Sequence, residues 1–376
     1  MKKAETPSLT YSPRNAWDVY TTATQKRQMD ALVKRYMDFL SNCKTERETV
    51  AYVQKRLQEA GFSEDFKKNT VFRNLRGKAI FAARKGKIPL QKGVHLIAAH
   101  ADSPRLDFKQ RPLVEQPGVA QAKTHYYGGI RKYQWVTIPL ELRGVVALKD
   151  GSTVAVSIGG APEDPQFTID DLLPHLGVEQ SKKPLGEAIP GESLNLLIGS
   201  RPFKDDEGSD RVKLAVMDYL NQKYHIVEED FISAELEVVP AFKAADIGFD
   251  RSLIGAYGHD DRVCAYAALR ALLDVGQVQK TAVCLLVDKE EIGSVGASGM
   301  ASMFFENTIA EIMALAGESS PLRLRRALTR SRMLSSDVSA GFDPAYASVF
   351  EAKNSAYLGR GLVFNKYTGS RGKSGS

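Results

Sequence analysis

Residues 281–293 read Thr-Ala-Val-Cys-Leu-Leu-Val-Asp-Lys-Glu-Glu-Ile-Gly. The apolar run over 281–288 predicts a buried strand, and Lys289-Glu290-Glu291-Ile292-Gly293 follows it directly. In α/β proteins, active sites gather at the carboxyl ends of strands. Two adjacent carboxylates there pack poorly and repel each other, so they call for a compensating charge. A metal ion that takes one carboxylate and leaves the other free as a base meets that need.

The segments around this stretch keep the α/β pattern. A glycine-rich loop through Gly293, Gly296 and Gly299 leads to a helix over 301–314 and a strand ending at Asp337. Upstream, 260–275 predicts a helix whose acidic first turn suits the helix dipole. Near the N-terminus, Met29, Leu32, Tyr36 and Leu40 have helical spacing within 15–40. Thr45 and Glu48 form a capping-box pattern, opening a helix that stops at Gly61. Strands are expected over 78–83 and 95–99, the second delivering His100 and Asp102 at its end.

Between 108 and 245 the texture changes. Residues 145–149, Asp150-Gly151 and 153–158 give a hairpin signal. Residues 164–208 are rich in proline, glycine and charge, with a short apolar patch at 194–197, and 231–240 reads as a strand leading back. The expected organisation is α/β with an inserted β-rich domain. Residues 1–107 form the first part of a catalytic domain, 108–245 the insertion and 246–376 the second part.

Composition narrows the function. The chain has 376 residues and a net charge of +6, too modest to argue for nucleic acid as a partner. Cys43, Cys264 and Cys284 cannot build a disulfide framework and lack zinc-finger spacing. Cys264 and Cys284, in apolar periodic segments, read as packing residues, and a reducing, cytoplasmic setting is expected. Met1-Lys2-Lys3 runs into polar residues instead of a signal peptide's apolar core, and no apolar run is long enough to span a bilayer. The basic stretch 322–332 reads as a helix with one solvated face, Leu324 and Leu328 lying a turn apart.

Candidate ligands lie at four strand or helix ends. His100 and Asp102, two apart on an extended segment, face the same way. A carboxylate so placed fixes a ligand histidine's tautomer, although a surface histidine and a turn aspartate before Pro104 fit the same letters. Asp260 and Asp261, after His259, open a helix where acids also serve as caps. Asp337, after Ser335-Ser336, equally suits a turn. One histidine with several carboxylates and no cysteine suits catalytic zinc, manganese or cobalt. Tyr126-Tyr127-Gly128-Gly129 and Trp135 either line a cleft or pack beneath glycine turns.

Four motifs, in order, carry a family resemblance. They are His95-Leu-Ile-Ala-Ala-His100-Ala-Asp102-Ser103-Pro104-Arg105-Leu106, Gly255-Ala-Tyr-Gly-His-Asp260-Asp261-Arg262, Asp288-Lys-Glu290-Glu291-Ile-Gly293-Ser294 and Ser335-Ser336-Asp337-Val338-Ser339. Over residues 16–371 the chain resembles the aspartyl-aminopeptidase and vacuolar aminopeptidase I family of dinuclear zinc aminopeptidases. The resemblance implies a zinc-exopeptidase-like mixed central sheet flanked by helices and two divalent metal ions, zinc or else manganese or cobalt. Asp260 would bridge them, His100 and Asp337 completing one site and Glu291 serving the other. Glu290 would be the general base for a water held between the metals, with Asp102 orienting His100. His175 would reach a neighbouring subunit's active site, and Lys366 and Arg371 lie near where the family contacts acidic substrate side chains. Short peptides as substrates and a tetrahedral homo-dodecamer, with no membrane partner, are implied as well.

One departure stands out. The family's second metal site takes a final histidine close to the C-terminus, and no histidine follows His259. The expectation is a second site one ligand short, with the closing end of the catalytic domain missing. Two alternatives follow: a catalytically impaired homologue or assembly subunit, and a related dinuclear deacylase or carboxypeptidase.

Overall fold

The computed structural model describes residues 9–204 and 208–365, which form two compact units. The larger is 37–336; the smaller has 9–36 and 337–365 as its described residues. Lys366 and Arg371 lie outside the described residues.

The helical spacing within 15–40 falls in α2 (Ala23–Asn42), which the short α1 (Ala16–Val19) precedes. The break between them is a capping box that the periodicity concealed. Gln25 N donates to Thr22 Oγ1 at 3.2 Å and Thr22 N donates to Gln25 Oε1 at 3.1 Å, so a new helix starts there. α3 (Glu46–Glu59) opens on the expected capping box of Thr45 and Glu48. β1 (Thr70–Leu75), β2 (Ala79–Arg84) and β3 (His95–His100) follow.

The chain then builds β4 (Arg105–Gln116), β5 (Val119–Tyr127), β6 (Leu140–Ala147) and β7 (Thr153–Ile158). It continues through α4 (Leu185–Ala188), β8 (Leu196–Gly199), α5 (Arg211–Tyr224) and β9 (Glu235–Pro240). A hairpin of β10 (Ala245–Ile247) and β11 (Leu253–Gly255) precedes α6 (His259–Asp274) and β12 (Ala282–Val287). α7 (Phe304–Leu315), α8 (Pro321–Arg330) and β13 (Arg332–Ser335) complete the larger unit's elements.

One sheet has the order β1-β2-β12-β3-β13 and is mixed. β12 and β13 run parallel to β3, while β2 is antiparallel to β1 and β12. Alternation along its strands divides the core into two layers. Phe81, Leu96, Val283 and Leu285 pack with Ile309, Ile312 and Met313 of α7 and Ala327 of α8. Ile80, Ala99, Cys284 and Leu286 pack with Val50, Val53 and Leu57 of α3 and Ala265, Leu269 and Leu272 of α6. Helices on both faces explain why β12 reads as a continuous apolar run.

A second sheet, β7-β6-β9-β4-β5-β8, comes from residues 105–240. Leu106, Leu140, Ile158, Leu196 and Val238 form its core with Leu220 and Tyr224 of α5. The β6–β7 hairpin turns at the expected Asp150-Gly151. Gly151 N donates to Leu148 O and Leu148 N to Ser152 O, with Gly151 at φ +84°. The positive φ therefore falls on the glycine, and the loop is longer than a two-residue turn.

All three cysteines are free, with Cys43 and Cys284 buried. Burial pushes the Cys284 thiol up to about 12, as befits an inert packing residue. α8 buries Ala327 and leaves its arginines toward solvent, as read from the sequence. Among the described residues, no helix is long and apolar enough to cross a membrane.

Candidate metal centre

β3 and β12 are adjacent and parallel, with Val287 opposite His100, so their carboxyl ends emerge side by side. Ala101 N donates to Val287 O at 2.8 Å, carrying the pairing one residue past β3. β3 thus delivers His100, which is 2% exposed, and β12 delivers Glu290 and Glu291 through Lys289 in the left-handed region at φ +65°. This is the topological position where open α/β sheets place ligands.

Asp260 arrives from the start of α6. The expectation that Asp260 and Asp261 cap a regular first turn is overturned. Asp260 has φ −86° and ψ 106°, Asp261 has φ −118° and ψ 39°, and a cis peptide joins them. Regular helix begins after them, so Asp260 is free to turn toward His100, whose Nε2 lies 3.1 Å from Asp260 Oδ1. Ser103 Oγ donates to Asp260 O at 2.5 Å and accepts from Arg262 Nη1 at 3.0 Å. The buried Arg262 also donates from Nη2 to Lys44 O at 2.6 Å, so this turn is held from beneath.

Asp102 is fully buried and organises the rest. Its Oδ1 lies 3.3 Å from His100 Nδ1 and accepts from Glu290 N at 3.2 Å. Its Oδ2 accepts from Glu291 N at 3.2 Å and from the Tyr127 hydroxyl at 2.6 Å. Burial alone would raise Asp102, but the hydrogen bonds from His100 and Tyr127 outweigh it and hold the carboxyl below its ordinary value. Asp102 therefore touches His100, as expected from the motif, and also pins both amides of the Glu290-Glu291 turn.

His100, Asp260 and Glu291 bring one ligand atom each within 4.8 Å of one another. Glu290 stands beside them, its Oε2 3.7 Å from His100 Nε2 and its side chain 44% exposed. Burial, then the charges of Asp260, Asp102 and Glu290, push Glu291 up to about 7 against the opposing pull of His100. Glu291 Oε1 is buried with no hydrogen-bond donor. A divalent cation among these three groups answers both observations, supplying a partner for the orphaned oxygen and offsetting the repulsion. One imidazole nitrogen with carboxylate oxygens is the donor set of catalytic zinc.

His175, His259 and Trp135 lie outside this cluster. Asp337 follows Ser336, whose amide donates to Ala98 O at 2.8 Å at the end of the β13 register, and Asp337 begins the smaller unit. His175 sits in an exposed turn, with Leu176 N donating to Leu173 O. His259 directs Nε2 to Ile254 O at 3.0 Å. Trp135 is buried in the second sheet's core, as the packing alternative had it. Ser103 was given no role of its own, and Tyr127 and Gly128, read as lining a cleft or as part of glycine turns, support the site in a way that reading did not specify. At φ +73°, Gly128 brings its backbone so close that a Cβ would lie 3.1 Å from Glu291 Cβ. The Gly-Gly after two tyrosines was the available signal for that close approach.

Comparison with known proteins identifies the family. The family model for aminopeptidase I zinc metalloprotease (M18) matches residues 39–376. A probable M18 family aminopeptidase 1 of Clostridium acetobutylicum is 53% identical, covering 96% of this chain and 80% of that relative. The crystal structure of aminopeptidase I from Clostridium acetobutylicum superposes with a TM-score of 0.89 at 49% identity, covering 98% of this chain and 81% of that one. The mApe1 dodecamer of S. cerevisiae shares the fold at a TM-score of 0.70 and 19% identity, covering 88% of this chain and 76% of that one. With histidine and carboxylates converging at the ends of β3, β12 and the start of α6, and a family match over most of its length, this chain belongs to the M18 family of aminopeptidase I zinc metalloproteases.

Proposed function

We propose that this chain hydrolyses the N-terminal peptide bond of short peptides at a centre held by His100, Asp260 and Glu291. Asp337 is proposed as a further ligand on the strength of its motif. The observation that carries the reading is the convergence of those three ligand atoms beside the half-exposed Glu290, whose Oε2 lies 3.7 Å from His100 Nε2. Zinc bound there would supply Lewis acidity, lowering the pKa of a water and polarising the scissile carbonyl. Glu290 takes the proton from the attacking water and returns it to the leaving amine nitrogen as the C–N bond breaks. Asp102 keeps His100 Nδ1 engaged, so that Nε2 faces the cation.

The finer features of this reading are proposals of the same kind. Two divalent ions are expected per subunit, and Asp260 would help to hold both. Residues 108–245 are assigned to an inserted domain for assembly and substrate access, which their separate six-stranded sheet supports. A cytoplasmic homo-oligomer with His175 reaching a neighbouring subunit completes the reading.

An aminoacyl anilide with a free α-amine, compared with its N-acetylated counterpart, tests the reaction class. Hydrolysis is expected for the free amine alone, abolished by a chelator and restored by zinc. Equal or preferred cleavage of the acetylated compound would replace the aminopeptidase reading with that of a deacylase or carboxypeptidase.

A further inference from the structure

We propose that Tyr127 is a positioning residue for the metal centre, acting through Asp102. The inference rests on the metal reading given above. Tyr127 closes β5 of the six-stranded sheet, whereas Asp102 follows β3 of the five-stranded one. The hydroxyl of Tyr127, 8% exposed, reaches across to Asp102 Oδ2 at 2.6 Å, the shortest contact that carboxylate makes. An ionised carboxylate only accepts, so the hydroxyl is the donor and its proton points at Asp102.

The tyrosine is itself fixed. Its ring lies 4.0 Å from the guanidinium carbon of Arg105. Arg105 in turn is tied to Glu46, Asp107 and Glu237 at 3.3, 2.8 and 3.2 Å. Next to it, Gly128 packs against Glu291. The end of β5 therefore reaches both the carboxylate that orients His100 and a proposed ligand.

Asp102 divides its two oxygens among four donors: His100 Nδ1 and Glu290 N on Oδ1, Glu291 N and Tyr127 on Oδ2. Removing the hydroxyl leaves Oδ2 with the 3.2 Å amide alone in a fully buried setting. The carboxylate then rotates about its own axis to share that amide, and His100 Nδ1 loses its 3.3 Å contact with Oδ1 while keeping its 3.0 Å hydrogen bond to the Asp102 backbone carbonyl. Glu290 and Glu291 lose the common anchor of their amides in the same movement. Loss of such a supporting contact typically weakens metal binding by about 10–100-fold.

The experiment measures zinc affinity by competition with a fluorescent chelator, together with the melting temperature of the metal-free protein. It uses wild type, Tyr127→Phe and, as a control, Tyr133→Phe, an exposed tyrosine outside the site. Tyr127→Phe is expected to bind zinc about 10–100-fold more weakly while its metal-free form melts with wild type, and Tyr133→Phe to match wild type in both. Combined with Asp102→Asn, Tyr127→Phe should add little to the loss from Asp102→Asn alone, because both act on one link. Unchanged affinity in Tyr127→Phe overturns the inference while leaving the metal reading intact. Failure of Tyr127→Phe to fold, or a fall in metal-free stability without a change in affinity, assigns the hydroxyl to the fold and overturns it equally. A wild-type chain that takes up no zinc removes the metal reading and this inference together.

Discussion

Glu290→Gln is expected to lower kcat by about 10²–10⁴-fold, the span ascribed to one positioned acid–base group, with bound metal unchanged. Glutamine matches glutamate in shape but cannot take a proton from water at neutral pH. The backbone amide at 290, which Asp102 Oδ1 accepts, survives the change, so the turn keeps its place. The side chain is 44% exposed and forms no part of the His100, Asp260 and Glu291 cluster. Stability should therefore stay within about 0.5 kcal/mol of wild type.

Glu291→Gln is the informative partner. It removes a proposed ligand's charge, so metal content and kcat should fall together. Metal stoichiometry measured beside kcat on the two variants separates base from ligand. Retained turnover in Glu290→Gln would remove it as the base, and lost metal in that variant would make it a ligand instead.

How much of this centre could be read in the chain follows from its geometry. Glu290 and Glu291 were legible because a buried strand ending in two acids has few structural explanations, and β12 fell where its apolar run placed it. His100 and Asp102 were legible because their spacing of two on an extended segment gives one facing direction. The Tyr127 role was not: it depends on a contact between the ends of two different sheets, and no local pattern encodes which strand end meets which. The departure from helix at Asp260 and Asp261 was hidden for the opposite reason. Acids at a helix start look like ordinary caps, and only the backbone distinguishes them from a turn aimed at a neighbour. α5 passed unread although Val212, Val216, Leu220 and Tyr224 recur every fourth residue, because the surrounding stretch is dominated by loop-forming residues.

The largest stability effect is expected beneath the site, from a buried group of charges between the two sheets. Glu46, fully buried at the start of α3, is ion-paired to Lys78 and lies 3.3 Å from Arg105. Glu237 of β9, 2% exposed, lies 3.2 Å from the same arginine. Burial acts to raise Glu46, but the charges of Arg105 and Lys78 outweigh it and hold that carboxyl well below the usual range. Burial and the Glu46 charge hold Glu237 well above its own. The pair is thus drawn apart, the ionised form being favoured at Glu46 and the protonated form at Glu237.

Each acid can stand in for the other. In Glu46→Gln the neighbouring charge is gone, so Glu237 ionises and faces the same cations. Glu237→Gln replaces one neutral group by another. Either single change should cost on the order of 1 kcal/mol, as for a typical substitution. Glu46→Gln with Glu237→Gln leaves buried cations without that partner, a loss of about 3–5 kcal/mol. The expected signature is therefore strong non-additivity, read from urea midpoints of the four proteins at pH 7.

The pH dependence has a definite sign. Glu46, depressed in the fold, contributes stability above its ordinary 4.5 that is lost only as pH falls toward its low folded value. Glu237, elevated in the fold, contributes stability that is complete below 4.5 and fades as pH rises through its folded value. Glu237→Gln cannot ionise, so it should gain on wild type as pH increases. The same group reaches the Glu290-Glu291 turn, since Lys78 lies 4.0 Å from Asp288, whose carboxylate accepts from Lys289 N and Ser298 Oγ at 2.8 Å each. A double variant whose loss equals the sum of the two single losses would show that Glu237 does not take over the charge of Glu46.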